Sequence, residues 1–247
     1  MGHGACGGTG AIDLHFGTSS RLTGFLRNLT LWPVPENEST SRICMNKKAI
    51  DAIIDRVYEA GLDVSKWQSV VNQLQSVFPY SAVALYGIDL KANVFTGAVH
   101  CGFYQDYTER YESDYSSINP FIQGFQTAPL GAVLRAGQFC ATEVLQKSAY
   151  YNDWLLPQAQ GGGVAEVLFR DATRILTLTM NCGTRNQDER EKSLSKALEY
   201  IGPHLQRSFA LTRQLAAQRF QGEDFVPRWT WCPAPRICSV PTANPYK

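Results

Sequence analysis

The sequence has no long apolar run and no strong excess of charge of either sign. No stretch approaches the roughly 18 apolar residues that a membrane-spanning helix requires. The start, MGHGACGGTGAIDLHFG, has neither a basic segment nor a continuous apolar one, so no secretory signal is predicted. The formal net charge of +1 argues against a strongly basic surface for nucleic acid. We therefore expect a cytoplasmic protein without membrane attachment.

Residues for metal binding, phosphate binding and catalysis are few and scattered. The seven cysteines form no even framework, which is typical of free thiols in a reducing compartment. The glycines at 161–163 have no lysine and no GxGxxG pattern, so they indicate a flexible turn. The four histidines lack metal-ligand spacing with cysteines or carboxylates: His3, His15, His100 and His204. We expect no enzyme activity, no metal and no cofactor.

Two cysteine positions could still carry chemistry. His100 and Cys101 are adjacent on a predicted strand, so their side chains point to opposite faces and cannot act together. A buried core cysteine is the simpler interpretation of Cys101. Cys140 precedes a predicted helix whose dipole could lower the pKa of its thiol. A redox or alkylation-sensing role stays open at Cys140.

A stripe of tyrosines is the most distinctive pattern in the chain. Its members recur at steps of three, four, four and three, which places them on one face of a helix over 104–118: Tyr104, Tyr107, Tyr111, Tyr115 and Ile118. Asn119-Pro120 should end this helix. Each buried phenol needs a hydrogen-bond partner. An ordinary core margin and the wall of a pocket for an amphipathic small molecule both satisfy that need.

The remaining pattern predicts helices separated by antiparallel hairpins. Helices are expected over 45–61, 65–78, 141–156 and 187–221, with Gly61 as a C-cap, Thr142 as an N-cap and a kink at Pro203. Hairpins are expected over 81–101 and 164–183, a short strand near 132–134 and irregular chain over 121–131. The fold class is α+β: a PAS/GAF-like antiparallel sheet flanked by helices, with a long C-terminal helix.

Three regions differ in composition. Residues 1–44 have no sustained period and are expected to be a disordered or over-extended N-terminal segment, with Met45 as the biological start. Residues 45–221 carry the periodic elements and form the predicted sensory and dimerisation domain. Residues 222–247 have no period and are expected to be an irregular tail, produced by truncation or a shifted reading frame.

The long helix carries an apolar seam near heptad spacing. A helix of this length cannot bury all of itself on a small domain, so we expect the seam to meet a partner, most simply a second copy. The predicted dimerisation residues are Leu194, Leu198, Ile201, Leu205, Phe209 and Leu215.

Several segments together resemble the N-terminal sensory half of bacterial LuxR-type transcription regulators. They are AIDAIIDRVYEAGLDVSKWQSVVNQL, the pair Tyr111 and Tyr115 before Asn119-Pro120, YYNDWLLPQ, GGGVAEVLFRD and DEREKSLSKALEYIGPHLQRSFAL. The similarity spans roughly 48–217. It implies a domain that senses a ligand, dimerises and is joined by its last helix to a helix-turn-helix. In the autoinducer-binding branch, aromatic and aspartate side chains line an acyl-homoserine-lactone pocket.

Carried over residue by residue, the resemblance implies that the ligand contacts Tyr107, Tyr111, Tyr115, Asp153, Trp154 and Trp67. The match to the lactone branch is loose, so the ligand is an unknown small molecule. The tail after the long helix shows no helix-turn-helix pattern, and we expect no direct DNA binding by this chain. The alternative function is a stand-alone interaction protein that forms heterodimers with full-length regulators and modulates them.

Overall fold

The computed structural model describes residues 47–92 and 94–219. The predicted N-terminal segment, the start at Met45 and the predicted tail lie outside these residues. The helices are Lys47–Leu62 (α1), Trp67–Val77 (α2), Gln105–Arg110 (α3), Phe121–Thr127 (α4), Ala136–Phe139 (α5), Thr142–Lys147 (α6) and Gln187–Arg219 (α7). The strands are Ser81–Asp89 (β1), Val94–Cys101 (β2), Val133–Arg135 (β3), Gly162–Arg170 (β4) and Arg174–Cys182 (β5). None of the described helices is long and apolar enough to cross a membrane.

The strands form one antiparallel sheet in the order β2-β1-β5-β4-β3. Both predicted hairpins are present, and β1 and β5 pair at the centre. The register places Ala84 opposite His100 on one side and opposite Thr179 on the other. The predicted α+β class, with an antiparallel sheet flanked by helices and a long last helix, is confirmed.

One face of the sheet carries the main core. Helices α2 and α7 pack on this face, and α1 packs against both of these helices. The apolar stripes of the three helices form one core with alternate strand residues such as Leu178 and Met180. Five residues predicted for dimerisation belong to this core and are at most 3% exposed: Leu194, Leu198, Ile201, Leu205 and Phe209. Their side chains are therefore used within the chain and are not available to a partner. Leu215 alone among the six is only half-buried.

Helices α1 and α7 approach each other closely at Gly61. Gly61 lies inside α1 and is buried, so it does not form the predicted C-cap. A Cβ atom there would lie 3.0 Å from the backbone oxygen and 3.2 Å from the Cα of Ser208. The Ser208 hydroxyl donates to the carbonyl of Val57, and Thr212 Oγ1 donates to the Gly61 carbonyl at 3.0 Å. Only glycine fits at position 61, because α7 occupies the space that a side chain would need.

A glutamate is buried beneath α7. Glu166 of β4 is fully buried, and its Oε1 accepts a hydrogen bond from Gln206 Nε2 at 2.7 Å. Its Oε2 has no hydrogen-bond partner among the described residues. A Cβ atom at Gly202 would lie 2.8 Å from the Glu166 Cδ, so this glycine leaves the space for the carboxyl group. Burial raises the pKa of Glu166 to about 7.

The other face of the sheet is covered by shorter helices. Phe125 of α4 and Phe139 of α5 pack with ring centroids 4.7 Å apart, against sheet residues that include Tyr86 and Val167. The prediction of irregular chain over 121–131 is therefore wrong for its first part. The run of Phe121–Thr127 is helical because Phe121, Ile122 and Phe125 share the face that meets the sheet.

Two predicted helices are broken into shorter pieces. The tyrosine helix continues from α3 into a π-helical turn at Tyr111–Tyr115 and a 3₁₀ turn at Ser116–Ile118. The helix predicted over 141–156 ends at Lys147, and the chain turns again as a π-helical turn at Tyr150–Leu155. Because a π turn changes the residue spacing, the tyrosine stripe does not stay on one face, and Tyr104 and Ile118 are 45% and 48% exposed.

Candidate functional site

A cavity of about 330 Å³ lies between the second face of the sheet and the two π-helical turns. Its walls are mostly aromatic, with a few polar groups among them. The lining residues are Ala84, Tyr86, Phe95, Ala98, His100, Phe103, Thr108, Glu109, Tyr111, Glu112, Phe121, Tyr150, Trp154, Thr179 and Asn181. An apolar cavity with a small number of polar groups is the usual form of a small-molecule site.

The sheet forms the floor of the cavity because its strands alternate between two faces. In β5, Leu178 and Met180 point into the main core, whereas Thr179 and Asn181 line the cavity. The Thr179 hydroxyl is 3.4 Å from the carbonyl of Ala84, which makes its internal hydrogen bond long. Polar groups of the floor are thus placed where a ligand could complete their hydrogen bonding.

Trp154 is at the centre of the aromatic wall. Its ring centroid lies 5.0 Å from Tyr111, 5.1 Å from Tyr150 and 5.5 Å from Phe103. Its indole N–H donates to the backbone carbonyl of Tyr107 at 2.9 Å, which ties one π-helical turn to α3. Ring contacts and a hydrogen bond therefore both hold the indole in its place in the wall.

Tyr111 is held by the asparagine that follows its turn. Asn119 Nδ2 donates to the Tyr111 hydroxyl at 2.9 Å, and Asn119 Oδ1 accepts from the backbone N–H of Phe121 at 2.9 Å. Burial raises the pKa of Tyr111 to about 12 and raises the pKa values of Tyr86 and Tyr150 well above the usual range. The three phenols are therefore neutral at physiological pH.

The ionisable side chains that line the cavity carry negative charge or no charge. Glu109 and Glu112 line it from exposed positions on the helical side. Burial lowers the pKa of His100, so its imidazole is neutral near pH 7. Arg110 is close in sequence but turns away: it pairs with Asp114 at 3.0 Å and lies over the Tyr115 ring.

The six predicted ligand residues separate into three groups. Tyr111 and Trp154 line the cavity. Tyr107 and Tyr115 pack behind it in the same aromatic cluster, and the Tyr115 hydroxyl accepts from Arg110 at 3.1 Å. Asp153 and Trp67 do not reach it, and each has a clear reason.

Asp153 is exposed because the π-helical turn buries Tyr150, Tyr151 and Trp154 and leaves Asp153 on its outer side. Trp67 is fully buried in the core on the opposite face of the sheet. Its indole N–H has no hydrogen-bond partner among the described residues.

Sequence reasoning missed most of the cavity, including Tyr86, His100, Phe103, Tyr150 and Asn181. One usable signal was the alternation of RILTLTMNC, in which threonines and asparagine occupy one face of a strand that is apolar on the other. A polar strand face inside a covered sheet indicates a cavity floor.

The cysteines agree in part with expectation. His100 lines the cavity and Cys101 lies in the main core, so the two do point to opposite faces. The predicted lowering of the Cys140 pKa is wrong, because partial burial raises the pKa of this thiol. In the described part of the chain, no group of three or more His, Cys, Asp or Glu residues is placed to hold a metal ion.

Comparison with known proteins yields structural neighbours only. No protein-family model and no curated protein sequence matches the chain. The ligand-binding domain of VqsR from Pseudomonas aeruginosa matches with a TM-score of 0.49 and 15% identity, covering 66% of this chain and 98% of that one. The N-acylhomoserine lactone-dependent LuxR-family transcription factor CepR2 from Burkholderia cenocepacia matches with a TM-score of 0.45 and 10% identity, covering 66% and 98%.

A third neighbour is an enzyme, the free methionine-R-sulfoxide reductase from Neisseria meningitidis. It has a TM-score of 0.39 and 13% identity, with 68% of this chain and 93% of that chain covered.

Proposed function

We propose that this chain is the ligand-sensing domain of a cytoplasmic LuxR-type transcription regulator, and that its ligand binds in the aromatic cavity. The observation that carries the proposal is the cavity itself, whose lining includes seven aromatic side chains: Tyr86, Phe95, Phe103, Tyr111, Phe121, Tyr150 and Trp154. An ordinary core margin would close over such rings, because empty apolar space costs dispersion contacts.

Polar groups of the lining support the same proposal. Tyr150 is only 4% exposed and lines the cavity, so it adds a phenol to a wall that is otherwise mostly apolar. A ligand with one polar group and an apolar body would match these polar groups and fill the space between the rings.

The first prediction concerns Trp154. Replacing it with phenylalanine removes the indole N–H that bonds to Tyr107 and part of the wall, so we expect affinity for a bound small molecule to fall about tenfold or more. Ligands are first found by a thermal-shift screen of a metabolite library, since binding to the folded state raises Tm. Isothermal titration then measures Kd for the variant.

Asp153→Ala is the matched control for this experiment. Asp153 is the neighbour of Trp154 in the chain but is exposed outside the cavity, so its loss should leave Kd unchanged. A ligand whose affinity depends on Asp153 and not on Trp154 would contradict the proposed site.

We also propose that the domain dimerises through the last part of α7. Thr212 bonds to Gly61, one residue before the end of α1, so the residues of α7 after Thr212 pass that end. Leu211 is 39% exposed and Leu215 is half-buried one turn later, on the same side of the helix. This surface replaces the buried seam as the candidate interface.

The second prediction tests this interface. A Leu211→Lys, Leu215→Lys double variant places two positive charges on the proposed contact, so we expect the dimer Kd to rise by about a hundredfold. Analytical ultracentrifugation measures the mass of each form. Lys196→Glu, an exposed charge change elsewhere on α7, is the control and should leave the mass unchanged.

If the leucine variant keeps the wild-type dimer mass, this interface is excluded. Co-purification with a full-length regulator would instead favour the heterodimer.

A further inference from the structure

The cavity is bordered by charge of one sign. Two acidic residues, Glu109 and Glu112, are among its lining residues, while none of the described residues that line it is a lysine or an arginine. Glu109 accepts a hydrogen bond from Gln105 at 2.9 Å, and the Glu112 carboxylate has no ion-pair partner among the described residues. The segment 105–115 also carries Asp106 and Asp114 against the single cation Arg110. An anionic ligand would therefore meet repulsion and no compensating cation.

The rings around the cavity form one continuous contact network. Trp154 touches Tyr111 and Tyr150, and Tyr111 continues the chain of rings to Phe95 at 5.3 Å. Aromatic rings attract cations through their quadrupoles, most strongly where water is excluded. Several rings with nearby carboxylates form a known type of environment for ammonium groups.

Two polar groups that line the cavity can act as acceptors. Tyr150 presents a neutral phenol, and the His100 imidazole is neutral and offers a ring nitrogen. An ammonium N–H could donate to either group. A neutral apolar ligand would leave these acceptors unused and would gain nothing from the two carboxylates.

We propose that the cavity selects a small organic cation, an ammonium group carried on an apolar or aromatic body. This inference rests on the proposed function that the cavity binds a ligand, and adds the ligand's chemical class. The ammonium group lies among the rings near Tyr150, and Glu109 and Glu112 attract it to the opening. The apolar body fills the space beside Phe95 and Phe121.

The test uses three probes of nearly equal size and different charge: phenethylammonium, phenethyl alcohol and phenylpropionate. Isothermal titration or ligand-observed NMR on the full chain gives Kd for each. We expect the cation to bind about tenfold tighter than the alcohol, and the anion not to bind measurably. Raising the salt concentration should weaken binding of the cation and leave the affinity for the alcohol unchanged, because screening acts only on the charged probe.

The Glu109→Gln, Glu112→Gln double variant then isolates the carboxylates. Both residues are exposed, so the variant should keep the wild-type Tm. Cation affinity should fall about fivefold while the affinity for the alcohol stays the same. Glu143 is an exposed residue of α6 that does not line the cavity, so Glu143→Gln should change neither the affinity for the cation nor that for the alcohol.

Two results would overturn the cation proposal. Equal binding of the alcohol and the cation, with the same loss in Trp154→Phe, excludes charge selection but leaves the cavity as the ligand site. Failure of all three probes also overturns it, and a library screen that yields no ligand dependent on Trp154 overturns the proposed function as well.

Discussion

Gly61→Ala should lower the free energy of unfolding by about 2–3 kcal/mol. An added methyl group would overlap the Ser208 side chain and approach its backbone oxygen to 3.0 Å, so α1 and α7 must separate. Separation stretches the hydrogen bonds from Ser208 to Val57 and from Thr212 to Gly61. Alanine favours a helix more than glycine does, so local propensity alone predicts stabilisation by about 1 kcal/mol. The sign of the change in unfolding free energy therefore shows whether the helix contact or the intrinsic helix propensity dominates at this position.

Urea unfolding followed by circular dichroism measures this change. The matched control is Gly137→Ala, where a Cβ atom would meet only the Thr142 hydroxyl at 3.7 Å. Gly137 is exposed in α5, so this variant should be neutral or slightly more stable. Equal stability of Gly61→Ala and wild type would contradict the close helix contact on which the main core depends.

Glu166→Gln should raise stability by about 2 kcal/mol at pH 8 and change it little at pH 4.5. The pKa of Glu166 is raised from 4.5 to about 7 by burial, so the folded state holds a proton that the unfolded state has released. Below pH 4.5 the carboxyl is protonated in both states and costs nothing. Stability is lost as pH rises from about 4.5 through about 7, because the unfolded chain releases the proton while the folded chain must either keep it or bury a charge.

The amide of glutamine keeps an oxygen to accept from Gln206 and carries no charge at any pH. The measurement is the free energy of urea unfolding at intervals between pH 4.5 and pH 8. Glu112→Gln is the control, since this exposed carboxylate should leave the profile as in wild type. A profile for Glu166→Gln that runs parallel to wild type would show that Glu166 does not titrate between the two states.

Local patterns predicted the elements well where a single period continued without interruption. The apolar stripe of α1, with Ile50, Ile53 and Val57, faces the core as the helical period required. The two hairpins followed from alternation and short polar turns, and β1 indeed pairs with β2 and β4 with β5. Such features depend on residues near one another in sequence, so a single sequence contains the information.

The candidate site was predicted only in part, because its shape depends on breaks in helical period. Tyr111 belongs to the tyrosine stripe and Trp154 was proposed from the family resemblance, but a regular helical pattern could not reveal that the π-helical turn leaves Asp153 outside. The apolar seam on α7 was predicted from its spacing, but that spacing shows only that the seam is buried against something. Whether α1 and the sheet or a second chain covers Leu198 is decided by contacts remote in sequence.

The most direct test of the ligand cavity is the two-dimensional NMR signal of the tryptophan indole N–H groups during titration with library hits. The Trp154 indole lines the cavity and bonds to Tyr107, whereas the Trp67 indole lies in the core on the other face of the sheet. Assignment by Trp154→Phe and Trp67→Phe identifies each peak. We expect saturable movement of the Trp154 signal and a stationary Trp67 signal. Binding that moves Trp67 and leaves Trp154 unchanged would place the ligand outside the cavity and contradict the account.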